Sequence, residues 1–136
     1  MVKSVVLGKE IVVSVVNEIG VLAELSRVLA DHGVNIDAVA GYAEKDNTAK
    51  IMIVTDDGLR ASDALRKAGY KSLKENEVVI VELENKPGAL KQITKNLASE
   101  GIDIKQVYGT TCKSGCPARI ILSTNNNQKA LLAFKK

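Results

Sequence analysis

The feature that most constrains this chain is an internal repeat at an offset of 68 residues, the separation of Asn17 from Asn85. The segment "NEIGVL" at residues 17–22 recurs as "NKPGAL" at residues 85–90, each after an apolar run. Identical residues at the same offset also pair Leu29 with Leu97, Gly33 with Gly101, Ile36 with Ile104, Val39 with Val107, and Gly41 with Gly109. The sequence therefore predicts two copies of one folding unit.

The length of the chain sets the size of these units. The 136 residues divide into predicted domains at residues 1–69 and 70–136. A unit of about 65 residues buries only roughly 60% of its unfolded surface, which is marginal for independent folding. We therefore expect the two units to pack together and not to be separated by a free linker.

The first part of each copy has the pattern of a buried strand followed by an amphipathic helix. In the first copy, residues 11–16 form a nearly continuous run of β-branched residues typical of a buried strand. Leu22, Leu25 and Leu29 then follow at helical spacing. Gly33 stands where a residue just past the helix end is expected, and the second copy repeats this order.

The rest of each copy predicts a hairpin and a second helix. The hairpin strands are predicted at residues 34–43 with 49–55, and at residues 102–112 with 118–124. Residues 56–58 and 125–127 offer N-caps for the helix that follows. The order strand, helix, strand, strand, helix is the ferredoxin-like half-pattern of an α+β sandwich, and it lacks one closing strand.

Two segments are candidates for the closing strand. The offset of 68 sets residues 2–5 against residues 70–73, so the unit either ends or begins with this strand. The N-terminal strand at residues 2–7 then either forms a hairpin with the strand that follows it or is exchanged between the copies. Both alternatives predict that residues 2–7 are structural.

Composition excludes several classes of function. The chain is 46% hydrophobic with a net charge of +3 and no block of like charge, and only 3% of its residues are aromatic. The charge distribution and the few aromatic residues argue against binding to nucleic acid. No apolar run is long enough to cross a bilayer, and the N-terminus does not resemble a signal peptide. We therefore expect no membrane association and a cytoplasmic location.

The loop that opens each first helix is the candidate binding feature. Asn17 and Asn85 are predicted to cap these helices through their side-chain oxygens. Gly20 and Gly88 lack a Cβ and permit close approach to the backbone. The free N–H groups and positive dipole end of a helix start suit a carboxylate, which an α-amino acid supplies. The alternative, that these loops are packing surfaces only, stays open.

These loops, with "LADHGVNI" and "LASEGIDI" after them, resemble the ligand loop and second strand of ACT domains. The resemblance covers almost the whole chain as two tandem copies. It implies two ferredoxin-like units with antiparallel sheets joined side by side and helices on one face. It further implies a regulatory protein that senses small molecules, usually amino acids, and has no catalytic activity; we expect no cofactor and no bound metal.

The resemblance also implies a set of ligand-binding residues. In amino-acid-binding members of the family, the effector lies between two domains, against the loop before the first helix and a polar residue that opens the second strand. The corresponding positions are Asn17, Ile19, Gly20, Val21, Leu22 and Asn35 in the first copy, and Asn85, Pro87, Gly88, Ala89, Leu90 and Asp103 in the second. Ile19 replaces the family's proline, and the carboxylate of Asp103 would repel that of a ligand. We therefore favour a site built on Asn35 and a loop from either copy.

Other candidate sites are weaker. Cys112 and Cys116 are an incomplete metal site, and we expect a reduced pair in a turn, with a redox or metal role as the alternative. His32, the only histidine, is predicted to stabilise a helix end. Glu24 and Arg27 are predicted to pair on a solvated helix face. No residues at suitable spacing form a nucleophile and a base, so no enzymatic activity is expected.

The sequence thus predicts a non-catalytic homodimer that binds an amino acid at an interface between ACT units and controls amino-acid metabolism. The alternative is a subunit without a ligand that binds a biosynthetic enzyme.

Overall fold

The computed structural model describes residues 2–135. Over these residues the chain forms six strands and four helices, and the order strand, helix, strand, strand, helix occurs twice. The elements are β1 (Val2–Val16), α1 (Val21–Asp31), β2 (Ile36–Ala43), β3 (Thr48–Thr55), α2 (Gly58–Lys67), β4 (Leu73–Leu83), α3 (Ala89–Ser99), β5 (Ile104–Thr110), β6 (Ala118–Thr124) and α4 (Asn127–Phe134). The fold is α+β, and the predicted hairpins and helices are present.

The chain divides into two compact units whose boundaries fall inside β1 and β4. The first unit is Lys9–Asn76, and the second joins the segment up to Gly8 to the chain from Glu77 onward. The sequence interpretation had instead placed the boundary between residues 69 and 70. The difference arises because β1 is one continuous strand of 15 residues, so its two ends belong to different units.

The strands form an antiparallel sheet in the order β2-β3-β1-β4-β6-β5. In the first unit, Val13 of β1 lies opposite Ile51 of β3. The N–H of Ser14 donates to the carbonyl oxygen of Ser72 at 3.0 Å, on the other side of β1. In the second unit, the Ser4 hydroxyl donates to Glu82 of β4 at 3.2 Å. Residues 2–7 are therefore the first half of β1 and lie in the sheet beside β4.

Each unit has its own hydrophobic core between two helices and one face of its strands. In the first unit, Leu25 and Leu29 of α1 and Leu65 of α2 pack on alternate β-strand residues such as Val13 and Ile53, all fully buried. Burying a side chain of this size contributes about 1.5–3 kcal/mol to folding. The second core is built in the same way from residues 2–7, β4, β6, α3 and α4.

The second helix of each unit begins at the predicted caps. Asp57 Oδ1 accepts the N–H of Arg60 at 3.1 Å, and Asn126 Oδ1 accepts the N–H of Lys129 at 3.0 Å. His32 caps the C-terminus of α1, and its Nδ1 lies 2.8 Å from the carbonyl oxygen of Val28. The predicted structural role of His32 is therefore confirmed.

The expectation of reduced turn cysteines was wrong. Cys112 and Cys116 form a disulfide that closes the turn between β5 and β6. The turn passes through Gly115, whose φ of +79° suits a residue without a side chain. It brings the two Cα atoms to 5.5 Å, within the range that a disulfide spans.

The described helices do not include one that is both long enough and apolar enough to cross a membrane.

Candidate functional site

The loop between β1 and α1 is a tight turn that leaves the helix start without a side-chain cap. Val21 donates its N–H to the carbonyl oxygen of Glu18 at 3.3 Å, and Glu24 donates to that of Gly20 at 3.0 Å. Gly20 is the N-cap residue, with φ +92°, and no side chain accepts a hydrogen bond there. The N–H groups at the first turn of α1 are therefore not satisfied by a side-chain oxygen.

The prediction that Asn17 and Asn85 cap these helices was wrong. A glycine in the left-handed conformation occupies each cap position three residues later, Gly20 at φ +92° and Gly88 at φ +89°. The backbone N–H of Asn17 instead donates to the carbonyl oxygen of Asn47 at 2.8 Å. The second loop repeats the turn, with Ala89 donating to Lys86 at 3.2 Å.

A cavity of about 500 Å³ opens beside this loop, entirely within the first unit. Its walls are the end of β1, the turn, the first turn of α1, and the chain between α2 and β4. The lining residues are Ser14, Val15, Val16, Glu18, Ile19, Gly20, Val21, Glu24, Ala68, Gly69, Tyr70, Lys71 and Ser72. The structure thus brings Ile19, Gly20 and Val21 from the predicted set to this cavity.

The cavity also contains a polar pair that was not predicted. Tyr70 and Glu24 both line the cavity, and a hydrogen bond with Glu24 is among the causes of the raised pKa of the Tyr70 phenol. Burial raises the pKa of Tyr70 above its ordinary value, and the hydrogen bond to Glu24 raises it further. Tyr70 therefore remains a proton donor at neutral pH. Glu24 does not form the predicted pair with Arg27, because Arg27 binds Asp31 at 2.8 Å.

A second cavity of about 380 Å³ lies on the other side of the same loop. Asn17, Val21 and Leu22 line it together with residues of β2 and β3, including Val39 and Tyr42. Leu22 and Val39 are about half exposed, at 49% and 50%. This second cavity is more apolar than the first and carries Asn17 and Leu22 of the predicted set.

Asn35 and Asp103 occupy matching positions just before β2 and β5. The backbone N–H of Asn35 donates to Asp56 at 2.9 Å, and that of Asp103 donates to Asn125 at 3.0 Å. The Asn35 side chain donates to Asp37 at 2.7 Å, whereas Asp103 pairs with Lys105 at 2.9 Å. Neither Asn35 nor Asp103 lines the cavities described here.

The second unit has a cavity of about 460 Å³ in a repeat-related place. It lies between the first strand, α3 and the end of α4, and its lining includes Val2, Lys3, Ser4 and Gln92. The predicted residues Asn85, Pro87, Gly88, Ala89 and Leu90 do not line it. Ala89 is buried in the core, so only its backbone can contact a ligand.

Metal binding has no structural support within residues 2–135. No group of three or more His, Cys, Asp or Glu side chains there is arranged to hold a metal ion. The two cysteines are occupied by their disulfide.

The residues that sequence reasoning missed are Glu24, Tyr70 and Lys71. The signal for Glu24 and Tyr70 was a difference between the repeats, because the offset of 68 pairs Glu24 with Gln92 and Tyr70 with Val2, whereas Lys71 pairs with the identical Lys3 and carries no such signal. A position that departs from an otherwise kept pattern marks a candidate for a function specific to one copy.

Comparisons with known proteins agree with this fold. No curated protein matches the chain. A structure of a protein from Bacteroides thetaiotaomicron is 24% identical and covers 96% of this chain and 88% of its own, with a TM-score of 0.87. The ligand-free regulatory subunit of aspartate kinase from Thermus thermophilus is 17% identical, with coverages of 98% and 96% and a TM-score of 0.69. The corresponding subunit from Thermus flavus is 18% identical, with the same coverages and a TM-score of 0.64.

At these identities the structural likeness establishes a shared fold. The family model of the ACT domain matches residues 9–67, which are most of the first unit. The chain therefore has an ACT-domain match at residues 9–67 within a fold that it shares along its length with the structures above.

Proposed function

We propose that the chain is a non-catalytic regulatory protein of two tandem ACT-type copies, which binds an amino acid and thereby controls amino-acid metabolism. The observation that carries this proposal is the 500 Å³ cavity at the uncapped start of α1, which is lined by residues 14–24 of the segment that matches the ACT domain and by residues 68–72 just after it. The fold shared with regulatory subunits of aspartate kinase supports a regulatory role.

The cavity suits an amino acid in size and polarity. Pockets for small ligands are about 300–1,000 Å³, and this one lies in that range at about 500 Å³. The ligand carboxylate is expected at the first turn of α1, where Gly20 provides no side chain that competes for the N–H groups. Glu18 and Glu24 line the same cavity on either side of the helix start, and their carboxylates are the groups proposed to pair with the ammonium group.

The wider residue set implied by the family resemblance remains a proposal. Asn35, Asn85, Pro87, Leu90 and Asp103 would contact the effector only if a second ACT face completed the site. Asn35→Ala tests this role, because its side chain is exposed and binds only Asp37 among the contacts described for residues 2–135.

The proposed assembly is a cytoplasmic homodimer. β2 and β5 are the end strands of the sheet order, and unpaired edges favour addition of another strand. Symmetric dimers are the commonest closed assembly of such chains. Light scattering coupled to size-exclusion chromatography tests this, with a dimer mass supporting it and a monomer mass at micromolar concentration contradicting it. A biosynthetic enzyme is the proposed downstream partner.

The rival function is a protein-interaction subunit without a ligand. It is favoured by the exposed apolar residues at both loops: Ile19 is fully exposed, and Leu22 and Leu90 are about half exposed. In this alternative the loops bind the surface of an enzyme.

A thermal-unfolding screen against the twenty common amino acids distinguishes the two functions. A ligand that binds only the folded state stabilises it by about 2.7 kcal/mol at a hundredfold excess over its Kd. We expect a selective rise in Tm, which Gly20→Asp abolishes because it places a carboxylate at the ligand's carboxylate position.

The matched control is Gly88→Asp. It imposes the same backbone strain, with φ +89° against +92° at Gly20, on the other unit. It should lower the Tm while preserving the ligand-induced rise. If no amino acid raises the Tm at millimolar concentration, the sensor proposal fails and the search moves to a protein partner.

A further inference from the structure

We propose that the cavity of the second unit is a separate binding site for a small organic molecule with two negative charges, a dicarboxylate or a phosphate monoester. The site is formed by the second unit alone and shares no lining residue with the cavity of the first unit. It goes beyond the function proposed above and does not depend on it.

The apolar part of the lining suits the carbon body of such a ligand. The cavity has a volume of about 460 Å³, within the range of about 300–1,000 Å³ that small ligands occupy. Residues 2–5 all line it, and because side chains alternate along a strand, the edge of β1 borders the cavity. Val2, Val5, Ile93 and Phe134 belong to the core of the second unit or pack against it.

The charged side chains of the lining are both cations, Lys3 and Lys135. Neither takes part in an ion pair among those described for residues 2–135. The hydroxyl of Ser4 donates to Glu82 at 3.2 Å, but Glu82 is not part of the lining. Two ammonium groups at one cavity repel each other, and a ligand with two negative charges removes this repulsion.

Two side-chain amides add uncharged hydrogen-bonding groups. Gln92 and Asn96 lie one turn apart on α3, and both line the cavity. Among the contacts described for residues 2–135, neither side-chain amide has a hydrogen-bond partner. Each amide offers two N–H donors and an acceptor oxygen. The lining therefore holds donors that a carboxylate or phosphate can use, together with its two cations.

The repeat shows that these amides replace residues of a different kind. The offset of 68 pairs Asn96 with Val28, which is 3% exposed and belongs to the core of the first unit. A half-buried amide at a core position loses apolar burial and is costly without a polar partner. The same offset pairs Gln92 with Glu24, so the second unit has a neutral side chain where a carboxylate would repel an anion.

The test is a titration of the whole ¹⁵N-labelled chain with adipate, with hexanoate and with phenyl phosphate, followed by ¹H–¹⁵N correlation spectra. We expect saturable shifts at residues 2–5, 92–96 and 134–135. Hexanoate has the chain length of adipate and one carboxylate fewer, so it should bind about tenfold more weakly, as expected for one lost hydrogen bond to a charged group. The relative affinities of adipate and phenyl phosphate identify the anionic group that the site prefers.

Three variants and a matched control locate the site. Lys3→Gln and Lys135→Gln should each weaken adipate or phenyl phosphate, whichever binds more tightly, by about tenfold. Asn96→Val installs the residue of the first copy and should weaken it severalfold without lowering the Tm. The control is Arg66→Gln, because after the one-residue insertion in the second copy Arg66 is the repeat equivalent of Lys135. It removes the same charge at the end of α2 and should leave the affinity unchanged.

The outcomes separate this site from the amino-acid site. Shifts centred on residues 18–24, hexanoate binding as tight as that of adipate, equal losses in Arg66→Gln and Lys135→Gln, or no saturable shift with any probe at millimolar concentration would each overturn the inference. All of these results leave the amino-acid proposal standing. Absence of amino-acid binding, in turn, leaves the anion site standing.

Discussion

Gly41 and Gly109 occupy equivalent positions in β2 and β5, but the space beside their Cα atoms differs. Substitution by alanine should therefore destabilise the protein by different amounts at the two positions. A Cβ on Gly109 would lie 2.5 Å from Cδ1 of Ile120 and 2.7 Å from the carbonyl oxygen of Arg119. The isoleucine side chain can rotate, but the carbonyl is held by the pairing of β5 with β6. At Gly41 the nearest atom is the Lys50 carbonyl oxygen, at 3.2 Å.

Gly109→Ala therefore forces a backbone shift, for which an overpacking cost of about 1–3 kcal/mol is typical. Gly41→Ala requires only a small adjustment, and the lower entropy of the unfolded chain, about 0.4–1 kcal/mol, is common to both variants and cancels in their comparison. We expect Gly109→Ala to be the less stable variant by about 1–2 kcal/mol.

Urea unfolding followed by far-UV circular dichroism measures both free energies of unfolding, with equal m-values as the check that the unfolded states are comparable. If Gly109→Ala is as stable as the wild type, or more stable than Gly41→Ala, the argument that β6 leaves no room for a Cβ at Gly109 is refuted.

Three further predictions concern caps, pH and redox state. Asp57→Ala and Asn126→Ala should each lower the free energy of unfolding by about 1 kcal/mol, since each removes the side-chain acceptor of a helix start. If these variants unfold at the same urea concentration as the wild type, the two side chains do not act as caps. Burial and a neighbouring carboxylate raise the pKa of Tyr70 in the folded protein. The protonated phenol therefore contributes fully to the free energy of unfolding below the unfolded-state pKa of about 10, and this contribution is lost as pH rises through the folded-state pKa. Tyr70→Phe should therefore flatten the decline of Tm above pH 9–10, and an unchanged decline would refute the assignment. Cys112 and Cys116 are four residues apart, so reduction of their disulfide should lower the free energy of unfolding by about 2 kcal/mol on the chain-entropy model. Dithiothreitol should therefore lower the Tm of the wild type and leave the Tm of the double variant Cys112→Ser/Cys116→Ser unchanged.

The architecture was predictable because it depends on local periodicity repeated twice. Helical spacing of the leucines and the glycines after α1 and α3 identify the first helices, and β-forming segments around polar turns identify the hairpins. Gly33 and Gly101 both have φ +69°, a conformation that explains why glycine recurs there.

The caps of α1 and α3 were not predictable from residue type alone. Asn17 and Gly20 are both acceptable cap residues, and the choice depends on the backbone turn between them. The turn from Glu18 to Val21 puts Gly20 at the cap. The same reasoning applies to Asn85 and Gly88.

The polar part of the candidate site was hidden for a different reason. Tyr70 and Glu24 belong to segments that are distant in sequence, and only the folded sheet brings the segment before β4 beside the helix that follows β1. Their contact is long-range and carries no periodic signal. The division of β1 between two units has the same origin, because a continuous strand gives no local sign of where one unit ends.

The most direct test of the account is a ¹H–¹⁵N correlation spectrum of the chain titrated with the amino acid found by thermal screening. The account predicts that the amide shifts concentrate at residues 18–24 and 70–72, while those at residues 86–92 change little. Shifts centred on residues 86–92, or no shifts at millimolar ligand, would contradict it.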